Sequence, residues 1–451
     1  MSATDVAVVG GGWAGCAAAL TLAQAGARVT LFEAQRTPGG RARAVEVNGH
    51  TLDNGQHIML GAYSETLRLM RAAGLDAARA LLRLPLQMRY PPGQGMDFVA
   101  PRLPAPLHLL AALLRARGLD RDDKLALARF STSARWMGWT LHQDCSVAEL
   151  LHRFDQTERL NRLMWAPLCL AALNTPPQRA SAQVFLNVLR DSLGARRAAS
   201  DMLLPRTDLT GAFPAAALRV VESRGGTVHT ATRVERISQL AAGGWQLEAS
   251  GSAVGGALSE RFDRVVLAGA PNSAAALLES MPQAAPAGVL VAQLRAFEYE
   301  PITTCYLQYA PETRLDLPFY ALEDAPGDSR HGQFVFDRGH LEAAHGGLFA
   351  VVVSSSGAAA GMAQEALAGS VAQQLAHAFG RPGLASPQWT RVITEKRATF
   401  ACTPGLVRPG NDTGIAGLAL AGDYTAGSYP ATLEAAVRSG VAAAHLLEPS
   451  R

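Results

Sequence analysis

Glycines at positions 10, 12 and 15, an acid at position 33 and a Gly-Asp pair at 422–423 are the residues whose types and spacing carry chemistry in this chain. In Gly10-x-Gly12-x-x-Gly15 the first glycine permits a tight turn. The second lets backbone approach a pyrophosphate, and the third lets a helix pack closely on a strand. Glu33 stands further on, where a carboxylate takes a ribose hydroxyl. Together these residues hold a dinucleotide. Near the other end, Gly422-Asp423 closes the apolar run Leu418-Ala-Leu-Ala421 and precedes a second helix start, again a place for phosphate or sugar. No second Gly-x-Gly-x-x-Gly occurs, which argues against a separate nicotinamide domain.

The elements needed to position these residues are legible around them. Val6 to Val9 is a short β-branched run and reads as a buried strand. Cys16 to Ala25 reads as an Ala/Leu-rich helix closed by Gly26, and Val29 to Phe32 as the next strand. The helix start offers unpaired N–H groups and a positive dipole end to phosphates. The uncharged stretch 6–27 is interrupted by glycines and preceded by no basic residues, so signal and membrane-spanning readings are rejected. Downstream come a Gly39-Gly40-Arg41 turn, a hairpin about Asn48-Gly49, the segment Asp53 to Tyr63 and a helix Ser64 to Ala73.

From about residue 80 to 200, leucine, arginine and alanine dominate, and 104–117, 122–139, 147–154 and 157–173 read as helices. A helix at 213–224 and strands at 227–229, 234–237, 245–248 and 263–268 suit a return of the first domain. Strands at 303–309 and 349–354 and a helix at 362–379 follow. The reading is an α/β protein with a discontinuous Rossmann-type dinucleotide-binding domain (1–78, 204–285, 391–451). A mixed, largely helical substrate domain is inserted into it (79–203, 286–390). Leucines 107, 109, 110, 113 and 114 with Arg115 and Arg117 give 104–117 a wide apolar face with a basic end. That face suits either the core of a substrate domain or a membrane surface.

Composition bounds the partners. Over 451 residues the net charge of +3 is too small to argue for nucleic acid, and 48% hydrophobic with 18% charged residues is globular. The five cysteines are scattered without Cys-x-x-Cys spacing, which fits a reducing, cytoplasmic setting and no metal site.

The paired ends resemble the flavin-containing amine oxidase and phytoene desaturase superfamily, clearly over 5–63 and 391–445 and vaguely between. The resemblance implies one FAD, with Gly10, Gly12 and Gly15 at the pyrophosphate and Glu33 at the adenosine ribose. Gly40 and Arg41 would lie along the dinucleotide backbone, Gly422-Asp423 at the ribityl chain or phosphate, and the Thr432–Leu433 backbone at the flavin ring. Within the superfamily, Asp53 to Tyr63 is similar to plant-type carotenoid desaturases. Glu395-Lys396-Arg397 with Gly422-Asp423-Tyr424-Thr425 looks most like the bacterial squalene-associated branch, the hydroxysqualene dehydroxylases. Ser428-Tyr429-Pro430-Ala431-Thr432 departs from the aromatic cage of amine oxidases.

The implied activity is reductive removal of the hydroxyl of hydroxysqualene, giving squalene for hopanoid synthesis. The implied partners are a long apolar isoprenoid, a membrane surface reached peripherally and an unidentified electron donor. Ionising an allylic alcohol needs an acid for the leaving hydroxyl and a hydride donor at the cation. The candidates are His57, which would act as the acid or orient it, Lys396 and Tyr429. Each has a structural alternative: a backbone bond for His57, a solvated pair with Arg397 for Lys396, packing for Tyr429. Two other functions stay open, a polyene desaturase with opposite electron flow and a non-enzymatic prenyl-binding escort of the same fold.

Overall fold

A computed structural model describes residues 3–252, 255–281 and 287–448. The expected boundary at 285/286 lies outside the described residues. The elements that surround the site are, in chain order, β1 (Asp5–Val9), α1 (Trp13–Gln24), β2 (Arg28–Phe32), α2 (Leu107–Arg115), α3 (Arg121–Trp136), α4 (Ala182–Leu193), β3 (Thr227–His229) and β4 (Arg264–Leu267). They continue with β5 (Tyr299–Gln308), β6 (Phe319–Ala321), β7 (Phe334–Asp337), β8 (Leu348–Ser354), β9 (Trp389–Phe400), β10 (Leu418–Leu420) and α5 (Leu433–Leu446).

Five strands drawn from the whole length of the chain form one parallel sheet in the order β3-β2-β1-β4-β10. Val6 pairs with Val29 and Arg264, and Val8 with Leu31 and Val266. Helix α1 covers one face, where Val6, Val8, Val29, Leu31 and Val266 are fully buried. The antiparallel strands Thr232–Gln239, Trp245–Gly251 and Gly256–Phe262 lie against the other, where the Phe32 and Phe262 rings meet edge to face, so the strands are apolar on both sides. Helix α1 has no polar face and is buried nearly all round. It packs on α5 through small residues. A Cβ on Gly440 of α5 would lie 2.1 Å from the Ala14 carbonyl oxygen, so the two backbones meet where no side chain fits.

A second, antiparallel sheet runs β6-β7-β8-β5-β9. Strand β9 pairs with β5 from Gln308↔Trp389 to Tyr299↔Phe400. Residues 391–400, expected with the last part of the dinucleotide domain, therefore lie in the sheet of the inserted region. Long-range pairing, invisible to local pattern, sets that boundary. The inserted region also holds α2, α3 and α4. The helix expected over 157–173 is divided by a π-helical turn at Asn161–Trp165. Pro167 has no N–H to give Leu163, whose carbonyl accepts from the Tyr90 hydroxyl at 2.9 Å. Among the described residues no helix is long and apolar enough to cross a membrane, and no group of His, Cys, Asp and Glu is arranged to hold a metal.

The contact at Gly440 sets a stability test. Gly440→Ala forces a methyl into the Ala14 backbone and should cost about 1–3 kcal/mol, lowering Tm. Gly369→Ala, on the exposed face of the helix Gln364–Phe379 where an added Cβ meets nothing within 4 Å, is the control and should not lower it. Equal Tm values for the two variants would show that the α1–α5 contact is looser than described.

Candidate active site

A cavity of about 1420 Å³ lies between the parallel sheet and the inserted region. Cavities on the order of 300–1,000 Å³ suffice for drug-sized ligands, so this one has room for a cofactor and a substrate. Gly10, Gly12, Glu33, Arg41, Asp423 and Thr432 line its sheet side. Leu109, Leu113, Trp165, Leu168, Phe334 and Phe336 line its inserted side.

The glycine loop is built by exclusion. Gly10 has φ of +114°, and a Cβ there would sit 2.8 Å from the Ala268 backbone. A Cβ on Gly15 would sit 1.8 Å from the Gly10 carbonyl oxygen. Gly12 differs. Its φ of −71° and ψ of 177° suit any residue, and a Cβ there would meet nothing nearer than the Gly40 Cα at 3.8 Å. The space beside Gly12 is the cradle itself. The first turn of α1 carries no acid and no side-chain cap, so its N–H groups are free for an anion. Glu33 is buried, its Oε2 accepting from Gly11 N–H and its Oε1 from Gln35 N–H, each at 2.7 Å. That fixes the carboxylate and leaves acceptor capacity for a sugar hydroxyl. The residues fit a dinucleotide phosphate and ribose.

The two ends of the chain meet over the cavity. Arg41 donates to Asp423 at 2.6 Å and to the Ala398 carbonyl at 2.6 Å. Burial works against the Arg41 charge, but Asp423 outweighs it and holds the guanidinium above its ordinary pKa. Gly422 N–H donates to Ser439 Oγ of α5 at 2.9 Å, and Thr432 caps α5 by accepting from Ala435 N–H at 3.1 Å. Leu433 opens that helix and lines the cavity with Thr432 and Gly422.

The three candidates fare differently. His57 lines the cavity, and its Nδ1 lies 2.7 Å from the Gly55 carbonyl. A carbonyl only accepts, so Nδ1 carries the hydrogen. Burial, reinforced by Arg41 and opposed by the Gly55 bond, depresses the His57 pKa below its ordinary 6.5. That direction favours the neutral ring, whose Nε2 is an acceptor, and suits His57 to orienting a proton donor better than to being one. Lys396 lies exposed on β9 and is not part of the cavity lining; it falls in the stretch 396–398, where the pairing with β5 is interrupted by a register shift. Its expected catalytic role has no geometry behind it. Tyr429 lines the cavity and donates to Asp191 Oδ2 at 2.6 Å. Burial, with that bond, pushes its phenol up to about 12.

Sequence reasoning missed Asp191 and the network beneath His57. Asp191 lies on α4, a helix not expected at all, although buried Phe185, Leu186 and Leu189 carry the helical period that marks it. Beneath His57, the buried Arg338 donates to Gln56 Oε1 at 2.9 Å and stands 3.6 Å from Asp53. Asp53 Oδ1 accepts from Leu209 N–H at 2.7 Å, and burial pushes its carboxyl up to about 6 in spite of Arg338. Arg338 lies far along the chain, on no motif.

The cradle sets a second test. Gly12→Val should fold, because its backbone suits valine, yet bind no FAD, because the branched side chain fills the phosphate space. The wild type should release its flavin on denaturation, as expected of a cofactor held without a covalent bond. Stoichiometric FAD in a folded Gly12→Val protein would place the pyrophosphate elsewhere.

Comparison with known proteins supplies the family. The profile described as flavin containing amine oxidoreductase matches residues 13–447. A hydroxysqualene dehydroxylase from Rhodopseudomonas palustris is 30% identical over 98% of both chains. One from Sinorhizobium fredii is 27% identical over 98% of both. Cyclohexylamine oxidase from Brevibacterium oxydans shares the fold, with 18% identity, a TM-score of 0.68 and 99% of each chain covered. The chain belongs to the flavin-containing amine oxidoreductase family and is an FAD-dependent oxidoreductase.

Proposed function

We propose that this enzyme reductively removes the hydroxyl of a long isoprenoid alcohol, hydroxysqualene, releasing squalene. The observation that carries the reading is the cavity's continuity. The dinucleotide cradle opens directly onto a wall of leucines and aromatics, including Leu109, Leu113, Trp165, Phe334 and Phe336. Such a wall suits a hydrocarbon chain. Full-length relatives with the same activity in their names support the choice of substrate. Membership of an oxidoreductase family sets aside the non-enzymatic escort.

The reaction breaks a C–O bond, forms a C–H bond and releases water. Reduced FAD, when bound, supplies the hydrogen with its electron pair. The chain's own residues hold the alcohol, keep bulk water from the cation and place proton-bearing groups. His57 Nε2 can orient a donor at the cofactor side of the cavity. Tyr429 keeps its phenol proton within the cavity.

The test is anaerobic. Enzyme-bound flavin is reduced, hydroxysqualene or phytoene is added separately, and flavin absorbance is followed. Hydroxysqualene should reoxidise the flavin. Reduction of oxidised flavin by phytoene instead would establish a desaturase. In the same assay His57→Gln should keep FAD and slow turnover by about tenfold, short of the 10²–10⁴ that loss of a general acid costs. The sign of the pH dependence follows from the depressed pKa. His57 takes its proton at lower pH than an ordinary imidazole, so any loss of rate from its protonation lies on the acid side of the ordinary histidine range. A limb rising as pH falls through that range, with a loss beyond a hundredfold in His57→Gln, would make His57 the acid.

The enzyme also meets the bilayer in which such a substrate dissolves. Helices α2 and α3 rim the cavity: Leu109 and Leu113 face in, Leu110 lines the cavity mouth while 53% exposed, and Leu107 and Leu114 are 53% and 67% exposed. Trp136 at the end of α3 is 92% exposed. Arg102, Arg115, Arg117 and Arg135 are exposed around them. Apolar side chains ringed by arginines suit the headgroup boundary. Replacing Leu107, Leu110 and Leu114 by Ser should move the protein from sedimented anionic liposomes to the supernatant. Wild-type protein that never sediments with liposomes would end this part of the reading.

A further inference from the structure

Five carboxylates line the cavity: Glu33, Asp191, Glu235, Glu395 and Asp423. Four lie on the parallel sheet's side, on the strand Thr232–Gln239 or on β9. Glu33 is tied to Gly11 and Gln35, Asp423 to Arg41, Glu395 to Asn54 and the Arg397 backbone. Asp191 alone comes from the helices, in a wall shared with Val188, Ser192 and Leu193 of α4. An anion placed where a hydrocarbon is to lie costs desolvation and is kept only for something that repays it.

Its surroundings define what that is. Arg190 Nε donates to Asp191 Oδ1 at 2.7 Å, and Arg190 Nη2 and the Tyr429 hydroxyl donate to Oδ2 at 3.3 and 2.6 Å. Arg438 lies over the Tyr429 ring, 5.2 Å from its centroid. Burial disfavours the Asp191 charge, but the bonds from Arg190 and Tyr429 prevail and hold the carboxyl below its ordinary pKa. The pair is thus an ionised acceptor beside a protonated donor. A carboxylate has about four acceptor positions, and these three bonds leave Oδ1 one free.

We propose that Asp191 and Tyr429 form the recognition site for the substrate's hydroxyl group. An alcohol both donates and accepts, so its O–H gives to Asp191 while its oxygen takes the Tyr429 hydroxyl, which turns from one acceptor to the other. A hydrocarbon of equal length can do neither. The pair therefore selects an alcohol over a polyene and sets the position of the carbinol carbon along the cavity. This inference rests on the dehydroxylation reading.

The test uses the FAD-loaded enzyme in mixed micelles. Affinity for hydroxysqualene is read from reoxidation of anaerobically reduced flavin, and affinity for squalene from perturbation of the oxidised flavin spectrum. Asp191→Asn should raise the alcohol's Kd by about ten- to a hundredfold, as for loss of a hydrogen bond to a charged group, with squalene's Kd unchanged. An unchanged alcohol Kd, or equal weakening of both ligands, overturns the assignment. Should Asp191→Asn lose FAD, Tyr429→Phe carries the test. It removes a donor and no charge, and should raise only the alcohol's Kd, several-fold; equal alcohol Kd values in the wild type and that variant overturn the proposal. Wild-type enzyme indifferent to hydroxysqualene removes the underlying reading instead.

Discussion

The structure depends on backbone meeting backbone without side chains between. Gly15 stands over the Gly10 carbonyl, where a methyl would lie 1.8 Å from the oxygen, and Gly10 itself abuts Ala268 at the end of β4. Gly440 repeats the device between α1 and α5. Because α1 sits this close, its N-terminus points at the space above β1 and β4 rather than at solvent, and α5 brings Gly422, Asp423 and Thr432 to the same space. Any larger residue at these points would lift the helices from the sheet and separate the phosphate cradle from the C-terminal strand end. Dispersion and burial then stabilise an arrangement that steric absence makes possible.

Charge is placed by the same geometry. The cofactor side of the cavity concentrates fixed dipoles and the Arg41–Asp423 pair, which joins two ends of the chain in a half-buried ion bridge. A bridge of this kind contributes little net stability once desolvation is subtracted. Its value is positional: it pins the Gly39-Gly40 turn to the Gly422 strand end. Beneath the His57 segment, Arg338 and Asp53 do the same for Gln56. His57 is held by the Gly55 carbonyl in one tautomer, and burial favours its neutral form, so the segment most similar to carotenoid desaturases presents an acceptor, which suits the orienting one of the two roles expected of it.

What was legible in the sequence was what short range determines. The strand–glycine–helix–strand–acid order of residues 5–33 fixes β1, α1, β2 and Glu33, because turn sterics and periodicity act within a few residues. The hairpin about Asn48-Gly49 forms as read, with Ala44–Val47 paired to His50–Asp53. The parts that were not legible are long-range. The pairing of β9 with β5 moved residues 391–400 into the other sheet, and the same strand turned Lys396 to solvent. The outward and inward leucines of α2 could not be sorted from one helix, since the sorting depends on what lies against it. Leu109 and Leu113, part of a face that suited either a core or a membrane, line the cavity. Asp191 escaped for a different reason: its helix has an ordinary amphipathic pattern, and nothing local distinguishes an aspartate aimed into a cavity from one in water.

The direction of electron flow is not written in the fold. A desaturase and a dehydroxylase need the same cradle, the same apolar wall and the same exclusion of water, because both pass an electron pair and a hydrogen between a flavin and a carbon of a long chain. The reactions differ in one group, the hydroxyl, and therefore in what the cavity offers to a hydroxyl. Apolar contact discriminates weakly between chains that differ by one polar atom, whereas a buried donor and acceptor left unpaired by the wrong ligand discriminate strongly. The evolution of one activity from the other thus requires no change in the sheet, the glycine loop or the ion bridge. It requires an anion and a donor in an otherwise apolar wall, and helix α4 with the loop before α5 is where this chain carries them.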